Sequence, residues 1–389
     1  MKPSIPRGVW ILGLVSLLMD ISSEMIHGLL PLYLTVGLGA SALVVGVIEG
    51  IAEATTLVVK VFSGTLSDAL RRRQAIAAAG YGMAALSKPL FALASGPLLV
   101  FVARFLDRIG KGIRGAPRDA LIADLTPPAI RGAAFGLRQS LDTIGAVVGP
   151  LLAMALMLAW NDDFRAVFWV AVVPAMLSFA LITFGVRDPE PDPTTKREAP
   201  PAFNWKLARG LGAAFWVVTA VGAAMSLARF SEAFLILRAS DLGVATAHAP
   251  LVLVGMSVVY AATAYPVGRL ADRMAPRALL VAGIAALVAA DVALALAGNI
   301  ALFAAGVALW GLHMGLTQGV LSAMVANAAP EERRGTAFGV FNLVSGIALL
   351  VASVLAGALW QYTGPATTFW AGALLAGAAL VATARLARR

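Results

Sequence analysis

The sequence predicts an all-α polytopic membrane protein, with twelve transmembrane helices in two six-helix bundles related by pseudo-two-fold symmetry. Three observations predict it: an excess of apolar residues, their distribution into twelve stretches, and an internal repeat. Of 389 residues, 60% are hydrophobic and 13% charged, whereas soluble domains average about 45–50% apolar and about 25% charged residues. With a mean hydropathy of +0.85, the apolar residues exceed what one water-soluble core encloses, and lipid is the solvent they suit. A helical span takes about 20 apolar residues, so about twelve spans use nearly the whole chain. No room remains for a nucleotide-binding domain, and there is no G-x-x-x-x-G-K-[ST] phosphate loop. H-E-x-x-H and G-x-S-x-G are also absent, so the chain is read as a non-enzyme. Without cysteine, disulfides, thiolate catalysis and thiolate metal sites are excluded together.

The first span runs over 9–36. Its basic start and apolar run are those of a secretory signal, but the run continues past Asp20 to Leu38 without a clear cleavage site, so it is read as an uncleaved helix. Spans at 42–62, 76–94, 97–118, 133–158 and 164–185 complete an N-terminal bundle, 1–186. The stretch RDPEPDPTTKREAPPAFN is Pro-rich and charged, which makes 187–205 a flexible cytoplasmic linker. Spans at 206–237, 248–267, 278–297, 300–327, 336–360 and 364–384 then form the C-terminal bundle, 206–389.

Orientation follows from the arginines. Connections after even-numbered spans carry Arg71, Arg72 and Arg73, then Arg131, then Arg187, Lys196 and Arg197, then Arg269, Arg273 and Arg277, then Arg333 and Arg334. The other connections carry little beyond Arg165 and Arg238. By the positive-inside rule these loops and both termini, with Arg385, Arg388 and Arg389, are cytoplasmic, and the location expected is the cell inner (plasma) membrane. The net charge of +9 therefore reports topology; it is scattered over short loops, and no nucleic-acid partner is expected.

The third observation is a duplication. Gly64-Thr65-Leu66-Ser67-Asp68 recurs as Gly268-Arg269-Leu270-Ala271-Asp272, an offset of 268 − 64 = 204. Arg131-Gly132-Ala133-Ala134-Phe135-Gly136 recurs as Arg334-Gly335-Thr336-Ala337-Phe338-Gly339, an offset of 334 − 131 = 203. Two unrelated polar motifs share one register, which chance likeness between apolar helices does not produce.

These motifs resemble those of the major facilitator superfamily, and the resemblance covers the whole chain. Gly64-x-Leu66-x-Asp68-x-x-x-Arg72-Arg73 is similar to the family's loop motif between helices two and three, with Ala69 in place of the usual basic residue and Arg71 in place of a later Gly. Its second copy keeps Gly268, Asp272 and Arg273 and then degenerates at Ala275 and Pro276. Arg108-x-x-x-Gly112 resembles the fourth-helix motif, and Gly145-x-x-x-Gly149-Pro150 the motif of the family's antiporters, except that Ala153 replaces the final Gly. The resemblance implies alternating access, with Asp68, Arg72 and Arg73 as a breakable cytoplasmic latch. Asp119 or Asp124 would be its partner, and Gly145, Gly149 and Pro150 a close-packed bend. It also implies a small-molecule substrate, no cofactor beyond a proton gradient, lipid as surroundings and a monomeric protein.

The intramembrane charges are the remaining candidates. A charged side chain at mid-membrane costs about 2.5–3.5 kcal/mol on insertion scales, so such residues face the interior and pair. Asp20, Glu24 and His27 lie at i, i+4 and i+7 on one face of the first helix, and Glu49 and Glu53 make an i, i+4 pair on the second. Arg104, Arg108, Lys111, Arg114 and Arg118 form one stripe on the fourth, bordered by Asp107, and Arg138 and Asp142 pair on the fifth. Two readings stay open: an ion-pair network holding the N-terminal bundle, or a carboxylate that takes up and releases a proton as its surroundings alternate. On the second reading Asp20 and Glu24 come first, Glu49 and Glu53 second, and His27 joins the relay.

The C-terminal half is nearly uncharged in its spans. Arg229, Glu232, His313 and Gln318 are its candidate substrate contacts, with Asp291 the other charge, and Arg104, Arg108, Lys111 and Arg114 are candidates in the N-terminal half. The function expected is proton-coupled export of a small molecule. Uptake or exchange of an organic anion, export of a metal ion or chelate, and a receptor that does not transport are the alternatives.

Overall fold

A computed structural model of the chain describes residues 5–70, 72–188, 210–271, 274–330 and 333–386, without the side chains at 64–66, 68–70, 129, 271, 385 and 386. The described residues are helical almost throughout. α1 spans Arg7–Gly37, in which Arg7–His27 is α-helical and Tyr33–Gly37 is a π-helical turn. α2 (Ala42–Leu70), α3 (Arg73–Leu93), α4 (Pro97–Leu125), α5 (Arg131–Ala159) and α6 (Phe164–Gly185) follow. The second half holds α7 (Ala213–Asp241), α8 (Leu251–Ala271), α9 (Pro276–Leu296), α10 (Ile300–Ala328), α11 (Arg334–Thr363) and α12 (Pro365–Leu386).

Local chemistry sets the ends. Pro97 and Pro276 occupy the first helical position, where the missing N–H costs nothing. The Asp163 side chain accepts from Arg165 N and Ala166 N, and Asn299 accepts from Leu302 N, so both cap a helix start. Gly364, at φ 102°, closes α11 before Pro365 opens α12.

Eleven helices are long and apolar enough to cross a membrane by length and composition. α4 fails that criterion because Arg104, Asp107, Arg108, Lys111, Arg114, Arg118, Asp119 and Asp124 all lie within its Pro97–Leu125. It also runs seven residues past the expected end at 118 (125 − 118), since the charged face favours helix as much as the apolar one.

The span expected as one helix over 206–237 is corrected. α7 is helical at Ala213–Ala228 and again at Ala233–Asp241, with 229–232 between. The backbone freed there finds partners: Ser231 N donates to Ser353 Oγ at 3.2 Å and Ala233 N to Ser231 Oγ at 3.2 Å. Broken helices survive in lipid only where such groups satisfy them.

The repeat is structural as well as sequential. α9 begins 276 − 73 = 203 residues after α3, α10 300 − 97 = 203 after α4, and α11 334 − 131 = 203 after α5. Arg131 Nε donates to Ala123 O at 3.2 Å and Arg334 Nε to Ala326 O at 3.2 Å, each reaching back to the carbonyls that end the preceding helix.

The chain forms two compact units. The first comprises Met1–His27 with Thr55–Asn204, the second Gly28–Ala54 with Trp205–Arg389. In the first, α1 packs on α5 and α6 and α3 on α4 and α6, around Val9, Leu12, Val15, Met19, Tyr81 and Ile122. In the second, α9 packs on α10 and α12 and α7 on α11, around the rings of Phe230, Phe234, Trp310, Trp360 and Phe369. Large apolar side chains such as Phe184 and Leu374 stay exposed, as lipid contact requires.

Candidate functional site

Within the first unit, the placement of α1 on α5 depends on two glycines. A Cβ on Gly145 would lie 2.9 Å from Asp20 Cβ and 3.0 Å from Leu17 O; one on Gly149 would lie 2.7 Å from Ile21 O and 2.9 Å from Glu24 Cβ. Only glycine lets the two backbones approach this closely, and the approach falls at the two carboxylate positions. Pro150 is buried beside them inside α5.

Both carboxylates are half-buried. Glu24 Oε2 stands 3.5 Å from His27 Nδ1, with side-chain exposures of 24% and 12%. Asp20 makes no hydrogen bond or ion pair among the described residues and sits in the combined field of Asp142, Arg114, Lys111 and Arg118. Glu24 feels His27, Lys111 and Arg108. The acidic face of α1 and the basic stripe of α4 are thus brought together, as i, i+4 spacing on each helix allows.

The stripe is not uniform. Arg104, Arg108 and Arg114 are buried, and Lys111 is exposed. Arg114 lies 5.0 Å over the Tyr81 ring. Arg118 Nη1 donates to Ser16 Oγ at 2.9 Å and pairs with Asp119 at 3.1 Å. Arg138 joins Asp119 at 3.6 Å to Asp142 at 3.0 Å, extending the chain onto α5.

Deeper in this unit is a pair that sequence reasoning does not single out. Lys88 Nζ on α3 donates to Asp107 Oδ1 at 2.7 Å and to Ser23 Oγ at 3.0 Å, and Lys88 and Asp107 are both buried. Arg108 Nε adds a longer contact to Asp107 at 3.6 Å. The available signal is that Lys88 is the one charge in the apolar run 76–94.

In the second unit, Glu49 is buried and Glu53 half-buried on the first part of α2. Arg229 and Glu232 flank the interruption of α7, as the last and first flanking residues of its two pieces. His313 is buried on α10, with Nδ1 2.8 Å from Gly283 O. A carbonyl only accepts, so Nδ1 carries the hydrogen. Arg229 is close enough for its charge to act on His313. Gln318 is half-buried one turn and a half further along α10.

Of the gating candidates, Arg73 Nη1 bonds Asp124 Oδ2, whereas Arg72 is exposed. Asp119 is engaged by Arg118 and Arg138 instead. Gly268 is exposed, with open space where a Cβ would stand. The surroundings of Gly64 and the side chain of Asp68, together with Asp272 and Arg273, lie outside the described residues. Among the described residues, no cluster of three or more His, Asp or Glu side chains has the geometry to hold a metal ion.

The comparisons with known proteins agree across the chain. The family model of the Major Facilitator Superfamily matches residues 12–237 and 229–389. An uncharacterized MFS-type transporter of Methanocaldococcus jannaschii is 30% identical over 381 residues, 95% of this chain and 92% of that protein. The multidrug resistance protein MdtH of Photorhabdus laumondii is 30% identical over 162 residues, 42% of this chain and 39% of that protein. Among solved structures, a D323A mutant of the nucleoside transporter NupG superposes with a TM-score of 0.82 at 12% identity, covering 97% of this chain and 99% of that one, a likeness of fold.

Proposed function

The chain belongs to the Major Facilitator Superfamily and is a multi-pass secondary transporter, and from that premise we propose that it exports a small molecule across the bacterial inner membrane in exchange for protons. The observation that carries the reading is the packing of Gly145 and Gly149 of α5 against α1 at Asp20 and Glu24. The motif that resembles the family's antiporters is the one that fixes the two carboxylates in place. Partial likeness to a multidrug resistance protein supports export.

Mechanistically, Asp20 is the proton carrier and Glu24 with His27 its relay, facing the cations of α4. A half-buried carboxylate among cations exchanges a proton with whichever solution reaches it, and its change of charge alters the attraction to Arg114, Lys111 and Arg118. Coupling requires that proton and substrate favour different states of the transporter. Arg229, His313, Glu232 and Gln318 contact substrate on the C-terminal side, and Glu49 and Glu53 serve as secondary acids. Bundles 1–186 and 206–389, joined by the cytoplasmic linker 187–205, work by alternating access, with Arg73 and Asp124 part of the latch. Both termini are cytoplasmic, the driving force is the proton gradient with no cofactor, and the protein works as a monomer in lipid.

A second reading has one observation in its favour. The buried Arg104, Arg108 and Arg114 favour an organic anion as the substrate.

The test is transport in proteoliposomes with a ligand set spanning drugs, organic anions and metal chelates. With a substrate found, Asp20→Asn and Glu24→Gln should each cut pH-gradient-driven transport by about tenfold or more while counterflow exchange persists. Intact gradient-driven transport in the double variant overturns the proton role of α1.

A further inference from the structure

The repeat register brings a second buried acid into view. Adding the structural offset to the Lys88–Asp107 pair gives 88 + 203 = 291 and 107 + 203 = 310, which are Asp291 on α9 and Trp310 on α10. Where the first repeat holds a buried cation and its counter-anion, the second holds an acid and an indole. Asp291 is 0% exposed, and neither Oδ1 nor Oδ2 has a hydrogen-bond partner among the described residues. Trp310 Nε1 is likewise buried without a partner there. A partnerless carboxylate at zero exposure is far costlier than the neutral acid, because nothing replaces the lost hydration of its charge.

Among the described residues, no element packed against α9 supplies a counter-charge paired with Asp291. α12 carries no ionisable residue from Pro365 to Ala384. On α10 the ionisable side chain is His313, held by Gly283 O. Arg238, on the second piece of α7, donates to Leu294 O and Ala297 O and pairs with Asp241. α8, a lesser neighbour, carries Tyr260, Tyr265 and Arg269, and Arg229 and Glu232 stand at the interruption of α7; no ion pair joins Asp291 to any of them among the described residues.

We infer that Asp291 is a second proton-binding site of this transporter, occupied in the conformation described and gated by the interrupted part of α7. The inference rests on the proton-coupled reading above and extends it to the C-terminal half. A proton is the cation that fits. A Cβ on Gly372 would stand 2.7 Å from Asp291 Oδ2 and 3.0 Å from Phe230 Cε1, so there is no space for a methyl group on that side. Phe230 and Gly372 offer a ring edge and backbone there, not the several oxygens that a metal cation takes.

The gate is Phe230, which lies in the 229–232 interruption. Its ring packs 5.5 Å from those of Trp310 and Phe369. When α7 moves and carries this ring away, the carboxyl meets water, the O–H bond breaks and the proton leaves to the solution. Return of the ring requires that the proton be taken up again.

Infrared difference spectroscopy of the full chain in lipid tests this. At neutral pH, wild type, Asp20→Asn and Glu24→Gln should all show a buried protonated-carboxyl stretch that Asp291→Asn lacks. Gradient-driven transport should fall about tenfold in Asp291→Asn, with counterflow kept within about twofold. The same band in Asp291→Asn, or a band that disappears on adding sodium ions, overturns the site. Should Asp291→Asn fail to purify, Gly372→Ala keeps the acid and crowds it: a shifted band supports the site and an unshifted one overturns it. Loss of coupling in Asp20→Asn and Glu24→Gln bears on α1 alone, so the two readings fail separately.

Discussion

Lys88 and Asp107 carry the plainest consequence at the residue scale. Each is buried and each satisfies the other, so Lys88→Met leaves a buried carboxylate with only the long contact to Arg108. The expected loss is about 3–5 kcal/mol, read as a lowered thermal unfolding midpoint, and Lys88→Met with Asp107→Asn should recover part of it. Equal losses in the single and double variants would mean that the pair holds nothing. The two residues are 19 apart on adjacent antiparallel helices. The sequence places Asp107 beside the basic stripe but says nothing of which α3 side chain meets it, because that depends on how far each helix is rotated.

At the scale of elements, the seam between α1 and α5 decides where the carboxylates stand. Gly149→Leu would drive a side chain into Ile21 O, whereas Gly136→Leu, on the same helix, meets open space. Overpacking of this kind costs about 1–3 kcal/mol, so the first variant should lower stability and transport while the second leaves both unchanged. Thermal shift and proteoliposome flux measure the two. The interruption of α7 has its own dependence on a side chain. Ser353→Ala removes the acceptor of Ser231 N and should cost about 1 kcal/mol in thermal stability. The glycine motif is legible in the sequence, but the break is not: Arg229, Phe230, Ser231 and Glu232 include neither Gly nor Pro, and their backbone is held open by a serine 122 residues away.

For the whole molecule, the duplication and the arginine pattern make the topology testable. Since the chain has no cysteine, single introduced thiols report sidedness directly. Thr363→Cys, exposed at the end of α11, should react with an impermeant maleimide on intact cells, and Asp188→Cys, exposed after α6, only once the membrane is opened. The reverse pattern would invert the assigned orientation. The register of 203 holds from the starts of α3, α4 and α5 to the matching bonds of Arg131 and Arg334, one residue short of the 204 between the loop motifs, so the second half is a copy of the first whose buried charges have been exchanged for rings and an isolated acid.

What the sequence by itself determined was the solvent, the number of spans and the duplication, because each is a sum or a period along the chain: apolar residues per window, motifs per offset; the arginines per loop carry an expected orientation that thiol labelling tests. Tertiary structure decided which buried charges are paired. Lys88 meets Asp107, Asp20 and Glu24 lie on a glycine seam, and Asp291 is buried against Gly372 with no hydrogen-bond partner among the described residues. Hydropathy treats every face of a helix alike, whereas pairing depends on rotation and close approach between helices distant in the chain, which small residues permit and large ones forbid.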